Sequence, residues 1–281
     1  MIAQDLAATG RCTKNSLGYL QFGTSEPGAA PTDDYACSQH AGAERVALDY
    51  LLPILQGCES VLDVGCGVGA LVNALVRHGF DAYGFDVPAA VPHWVRAGND
   101  HDRFICGDAA ELPFANDCFD AVTSLGVIEH IGTVNGHCTL RDDYQEQRRA
   151  YAGEILRVTR PGGRIIIACP NKTFPVDIHH GPTDQLSRPA PIRSFLYRKA
   201  GVNVHKTWGR HHLLSYSEIR QLFPGVRGFA PLPLKGYFGF MRFKRGFMRP
   251  VSAFAQRWID HMPSLVAASF LNPYVMVQIT K

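Results

Sequence analysis

From about residue 58 the hydrophobic and polar positions follow two alternating rhythms. Short apolar runs at Val61–Val64, Ala82–Asp86, Phe104–Cys106 and Phe119–Leu125 predict buried strands. Between them, Leu71–Arg77 and Ala89–Ala97 carry helical spacing, the second despite Pro92. Tyr144–Val158 is amphipathic, with Tyr151, Ile155 and Val158 on one face. It stops before Pro161-Gly162-Gly163, and Arg164–Cys169 reads as the next buried strand. Upstream, Val46, Leu48, Leu51, Leu52 and Leu55 predict a helix over Ala43 to Leu55, preceded by an extended arm over residues 1–40. Alternating β and α units with short connections predict a doubly wound α/β domain around a mostly parallel sheet.

After Asn171 the rhythm breaks. Residues 171–212 hold proline, histidine and basic residues without steady periodicity, as an insertion would. Ser215-Tyr216-Ser217-Glu218 is a capping box opening a helix to Phe223, and Pro250 opens another through Ala253–His261. Tyr274–Ile279 alternates like a last strand. The expected division is an N-terminal arm and helix (1–57), a cofactor-binding core (58–172), and an acceptor-binding insertion or lid with C-terminal strands (173–281).

Composition narrows the partners. The 281 residues are 46% hydrophobic and 19% charged, ordinary for a chain that buries a core. The net charge of +3 gives no general case for nucleic acid; DNA is excluded as a partner and RNA is not expected. Eight cysteines include no Cys-x-x-Cys pair, which argues against a disulfide framework or a zinc site, and no metal is expected. With neither signal-peptide layout nor an apolar run of about 20 residues, a cytoplasmic setting is the expectation.

The chemistry begins at Asp63-Val64-Gly65-Cys66-Gly67-Val68-Gly69, between a strand and a helix. Glycines there let the backbone turn tightly and approach a ligand. Gly65-x-Gly67-x-x-Ala70 also satisfies the dinucleotide fingerprint. Asp63 decides between the two, because a carboxylate repels a pyrophosphate but suits an ammonium group. Asp86 ends the second strand, where a carboxylate can accept from ribose hydroxyls. Asp108-Ala109 follows the third strand, near where an adenine amino group would lie. Each has an ordinary alternative, a strand-end acid or a turn cap.

These segments resemble class I methyltransferases of the type 11 kind. The resemblance runs from Val61-Leu62-Asp63-Val64-Gly65-Cys66-Gly67 through Gly84-Phe85-Asp86, Gly107-Asp108-Ala109 and Phe119-Asp120-Ala121-Val122. It continues through Val127-Ile128-Glu129-His130-Ile131 to Leu156-Arg157-Val158-Thr159-Arg160-Pro161-Gly162-Gly163, covering about residues 58–172. It implies a seven-stranded Rossmann-like sheet with an antiparallel last strand, and S-adenosyl-L-methionine as cofactor. It further implies Asp63, Gly65, Cys66 and Gly67 at the methionine end, Asp86 and Val87 at the ribose, and Asp108 and Ala109 at the adenine. Leu125 and Gly126 would line the passage towards the methyl group. Cys169-Pro170-Asn171 with His179-His180 is similar to bacterial enzymes that methylate hydroxyls of glycans, lipids or secondary metabolites.

A hydroxyl acceptor must lose its proton, which favours a residue titrating near neutrality. His130 is the first candidate for this base, with His179 and His180 behind it. The alternative is that His130 only holds its loop, and Glu129 reads as a structural or cofactor-side acid. Asp177, His179 and His180 could donate to a metal, but no third partner stands at diagnostic spacing; a solvated or substrate-contacting loop is the preferred reading, with His211-His212 treated alike. Lys235 to Arg249 carries five basic residues among Tyr237, Phe238, Phe240, Phe243 and Phe247, suiting a lid, a dimer contact or peripheral membrane contact. The function expected is O-methylation of a small-molecule, glycan or lipid acceptor. N- or C-methylation, RNA methylation and a non-catalytic cofactor-binding protein are the rivals.

Overall fold

The computed structural model describes residues 12–23, 42–43, 45–134, 138–177, 179–180, 191–200, 203–235, 237 and 249–281. Its strands in chain order are β1 (Cys12–Lys14), β2 (Leu20–Phe22), β3 (Ser60–Val64), β4 (Asp81–Asp86), β5 (Phe104–Cys106), β6 (Phe119–Leu125) and β7 (Thr159–Pro170). They continue as β8 (Val176–Asp177), β9 (Asn203–Val204), β10 (Gly228–Pro231) and β11 (Tyr274–Thr280). The helices are α1 (Val46–Leu51 continuing into Leu52–Ile54), α2 (Ala70–Arg77), α3 (Val91–Ala97), α4 (Tyr144–Val158), α5 (Pro191–Ala200), α6 (Tyr216–Leu222) and α7 (Arg249–Asp260).

Nine strands form one sheet in the order β1-β2-β5-β4-β3-β6-β7-β11-β10. The run β5-β4-β3-β6-β7 is parallel, and β11 enters antiparallel beside β7, as expected for the last strand. Seven strands from β5 to β10 match the count the resemblance implied. The sheet exceeds it because β1 and β2 form a hairpin that extends the β5 edge. A three-residue strand leaves too short an alternation to read within a stretch rich in glycine, serine and threonine, so the arm hid it.

The sheet is buried on both faces, and successive residues of its central strands serve opposite layers. Ile165, Ile167 and Cys169 join one core with Tyr151, Ile155 and Ile219, beneath α4 and α6. Ile166 and Ala168 join the other with Leu51, Leu75 and Trp94, beneath α1, α2 and α3. This is why the strands read as unbroken apolar runs. The capping box closes in full at α6: Ser215 Oγ accepts from the Glu218 amide, and Glu218 accepts from the Ser215 amide. The insertion is less irregular than its sequence suggested, since it contains α5 and the two-stranded β8–β9 ladder.

Candidate active site

The glycine loop leaves β3 and enters α2 at the carboxyl edge of the sheet. Gly65 has φ +80, and a Cβ there would drive into the Val127 side chain. Only glycine satisfies both constraints. The loop is held from below: Trp94 Nε1 donates to the Gly67 carbonyl at 2.8 Å, and Asn99 Nδ2 to the Val68 carbonyl at 3.1 Å. Asn99 is placed in turn by Tyr19, whose hydroxyl donates to its carbonyl at 3.0 Å. Thus the N-terminal hairpin, beside β2, braces the loop from across the sheet.

Asp86 stands at the end of β4, where one carboxylate oxygen accepts from the Gly67 amide (2.6 Å) and the other from the Val87 amide (2.7 Å). Burial nevertheless pushes its pKa up to about 6, the two amides only partly opposing the rise. Asp63 is buried within β3 and accepts from the Thr123 hydroxyl at 2.7 Å. Desolvation raises it to about 7, against the Thr123 bond and with the neighbouring Asp86 charge adding to the rise. Cys66 is buried behind the loop, its sulfur against Gly84. Asp108 is exposed and accepts from the Ala110 amide at 2.9 Å, a turn-forming bond, while Ala109 packs on the core. Leu125 and Gly126, with φ +77, end β6 beside this crevice.

The histidines converge from three separate segments. Val127 covers Gly65, so Glu129 and His130 rise directly from the lip of the glycine loop. Asp177, on β8, accepts the His179 and His180 amides with one oxygen and His180 Nδ1 with the other, the last at 2.8 Å. Burial would raise its pKa, but the His180 hydrogen bond and charge, with the two amides, bring it down to about 2. His180 Nε2 then faces His130 Nε2 at 3.4 Å. Burial lowers the His180 pKa, but the bond and charge of Asp177 outweigh it and the net shift is upward. His212 lies edge-on to His180 with centroids 5.1 Å apart, and is buried and neutral, its pKa pushed to about 2 by desolvation. Arg148 locks the arrangement from α4, donating to the Ile131 carbonyl at 3.2 Å and the His212 carbonyl at 2.5 Å. The His179 ring lies between that of His180, at 6.5 Å, and that of Tyr274, at 5.6 Å.

The fold therefore joins His130 with His180, and sets the His179 ring beside them, 6.5 Å from that of His180. It also supplies partners that spacing could not show. Ligand atoms of Glu129, His130 and His180 lie within 4.8 Å of one another, as do those of Asp177, His180 and His212. Burial raises Glu129 to about 7, with its own amide, the His180 charge and Arg148 opposing and Asp177 adding. Sequence reading set Glu129 and His212 aside; the Glu129-His130 and His211-His212 pairs were the available signals. Phe238, Phe240, Phe243 and Phe247 lie outside the described residues. Among the described residues no helix is long and apolar enough to cross a membrane.

Residues 62–167 match the methyltransferase-domain family. A demethylmenaquinone methyltransferase from Renibacterium salmoninarum is 35% identical over 111 residues, 39% of this chain and 40% of that protein. A malonyl-[acyl-carrier protein] O-methyltransferase from Pectobacterium atrosepticum is 29% identical over 200 residues, 69% of each. Matches to the demethylmenaquinone methyltransferases span only 38–44% of those proteins. A solved SAM dependent methyltransferase from Archaeoglobus fulgidus is 15% identical, with a TM-score of 0.49 covering 89% of this chain and 100% of that one. The residues present fit the cofactor: a loop whose Gly65 admits no side chain, beside a buried carboxylate lacking a cationic partner in its hydrogen bonding. The stretch from Leu62 to Ile167, which runs from β3 into β7, is thus similar to the methyltransferase-domain family.

Proposed function

We propose that the protein methylates a hydroxyl group of a small-molecule, glycan or lipid acceptor, and that the acceptor docks against His130 and His180. In this reading Asp63 meets the ammonium end of S-adenosylmethionine, Asp86 the ribose and Asp108 with Ala109 the adenine. The cofactor supplies an activated methyl group on sulfur. What remains for the chain is to aim the acceptor oxygen, exclude water and receive a proton.

The observation that carries the reading is the Asp177–His180–His130 chain at the lip of the glycine loop. Ionised Asp177 can only accept, so His180 donates from Nδ1 and directs Nε2 towards His130. Tyr274, Tyr237 and His179 form an aromatic wall alongside, with Tyr237–Tyr274 centroids 5.9 Å apart. Such a wall suits a flat or apolar acceptor next to the polar pair. Relatives named for a malonyl-acyl carrier O-methyltransferase, a tocopherol O-methyltransferase and a hydroquinone methyltransferase support this acceptor class.

The test is methyl transfer to a panel of phenolic, hydroquinone, sugar and amine acceptors. His130→Ala should lower turnover on the hydroxyl acceptor by about 10²–10⁴-fold while leaving cofactor affinity within a few-fold. Normal turnover in a folded variant, or transfer to amines alone, overturns the reading.

A further inference from the structure

The facing nitrogens of His130 and His180 cannot both present lone pairs to each other. At 3.4 Å they need one shared proton or one shared cation between their lone pairs. The surroundings favour a cation. Glu129 is 2% exposed, and its Oε2 is buried without a hydrogen-bond partner. His212, 4% exposed, likewise has Nε2 buried without a hydrogen-bond partner. Leaving such groups unpaired costs about 1–3 kcal/mol each, more for a charge, so two beside one histidine pair call for an occupant.

We propose that Glu129, His130 and His180 bind a divalent transition-metal ion of the zinc class, at the position where the acceptor oxygen is expected. Their ligand atoms lie within 4.8 Å of one another. Two nitrogens about 2.1 Å from one ion at the tetrahedral angle stand about 3.4 Å apart, whereas adjacent octahedral positions bring them to about 3.0 Å. The 3.4 Å between the two ring nitrogens would suit a tetrahedral pair. Asp177 is not a ligand in this arrangement. Its two oxygens are taken by His180 Nδ1 and two amides, and it orients the imidazole as carboxylates do behind metal-bound histidines. Two histidines and one carboxylate leave the fourth position open, as in catalytic zinc sites, and His212 borders the same space.

The chemical use of the ion rests on the hydroxyl acceptor proposed above; its binding does not. With both histidine nitrogens on the ion, His130 acts as a ligand in place of the base proposed above, and an acceptor O–H at the open position releases its proton to solvent more readily on the metal. The oxygen lone pair then forms the new C–O bond, the S–CH₃ bond breaks towards sulfur, and S-adenosylhomocysteine leaves neutral at sulfur.

The experiment is titration of the chelator-stripped protein with zinc alone, read by competition with a chromophoric chelator, and with cobalt, read by visible absorption. About one ion per chain and an intense tetrahedral cobalt band are expected. Glu129→Gln and His180→Ala should abolish the band, and Asp177→Asn should weaken zinc by about 10–100-fold. Thermal unfolding of each variant without metal shows that the fold persists, and zinc should raise the midpoint of the parent only. Should these two ligand variants bind zinc as tightly as the parent, the ion is adventitious and the proposal fails. Hydroxyl methylation that persists in chelator, with no zinc bound, overturns the chemical use of the ion and leaves the acceptor reading standing. Zinc bound at this site with transfer to amines alone does the reverse.

Discussion

Asp63 and Asp177 are buried alike, at 4% and 2% exposure, yet their carboxyls move in opposite directions. Asp63, in the cofactor half, rises to about 7 because burial dominates and only the Thr123 hydroxyl opposes it. Asp177, in the histidine half, falls to about 2 because His180 and two amides outweigh the same penalty. Among the described residues, one half keeps an acid with no cation beside it in its hydrogen bonding, and the other has already paired its own. The difference fits a cofactor that brings an ammonium group to Asp63, and an acceptor side whose histidines must be held in place beforehand.

The strongest way to break the cofactor half is at the backbone. Gly65→Val adds branched bulk against Val127 at φ +80. Left-handed strain of about 1–3 kcal/mol and overpacking of about 1–3 kcal/mol should add to a loss of roughly 2–6 kcal/mol. Gly57 has a similar φ of +79 with nothing near its missing Cβ, so Gly57→Val should suffer the strain alone. Urea denaturation of both variants checks this. Equal losses would mean that Val127 yields freely and that the loop's contact with the β6 edge is not a constraint.

The positions of the glycine loop and of the strand-end acids were legible for a physical reason. A turn that excludes side chains, and acids at successive strand ends, are local features, and local spacing records them. Gly65, Asp86 and Asp108 all stand at the carboxyl edge, as their strand-end positions predict. The histidine site is different: Glu129-His130, Asp177–His180 and His212 meet from distant segments, and Arg148 ties the loop after β6 to the residue-212 segment. No spacing encodes a meeting set by a buried guanidinium on another helix. The β1–β2 hairpin escaped for a related reason, since its strands are held by the β5 edge and by Tyr19 reaching Asn99.

Asp63→Asn sharpens the comparison next. Losing a charge-assisted contact to the cofactor should weaken S-adenosylmethionine by about 1.5–3 kcal/mol, roughly 10–150-fold, in titration calorimetry. Stability should move the other way. A carboxyl raised from 3.8 to about 7 makes the native state bind the extra proton, so its penalty grows as pH rises through that window and is complete above it. The parent should therefore lose up to about 4 kcal/mol between pH 4 and pH 8 from this group, and Asp63→Asn should not. If the variant keeps the parent's affinity, another group receives the ammonium.

The smallest effect is expected from Asp177→Asn, and it carries a distinctive pH signature. Asp177 is lowered from 3.8 to about 2, so its stabilisation is present above 3.8 and is lost as pH falls through about 2. That shift is worth roughly 2 kcal/mol. His180 is shifted upward from 6.5, so its share is full below 6.5 and is lost as pH rises through its folded value. The stability gap between parent and variant should thus be widest from about pH 4 to 6.5, narrowing on both sides. Asp63→Asn should instead show a gain that grows monotonically with pH. Chemical denaturation from pH 2 to 8 on both variants distinguishes the shapes. A gap for Asp177→Asn that stays flat to pH 8 would mean that a neutral hydrogen bond to His180, not an ion pair, holds the histidine half together.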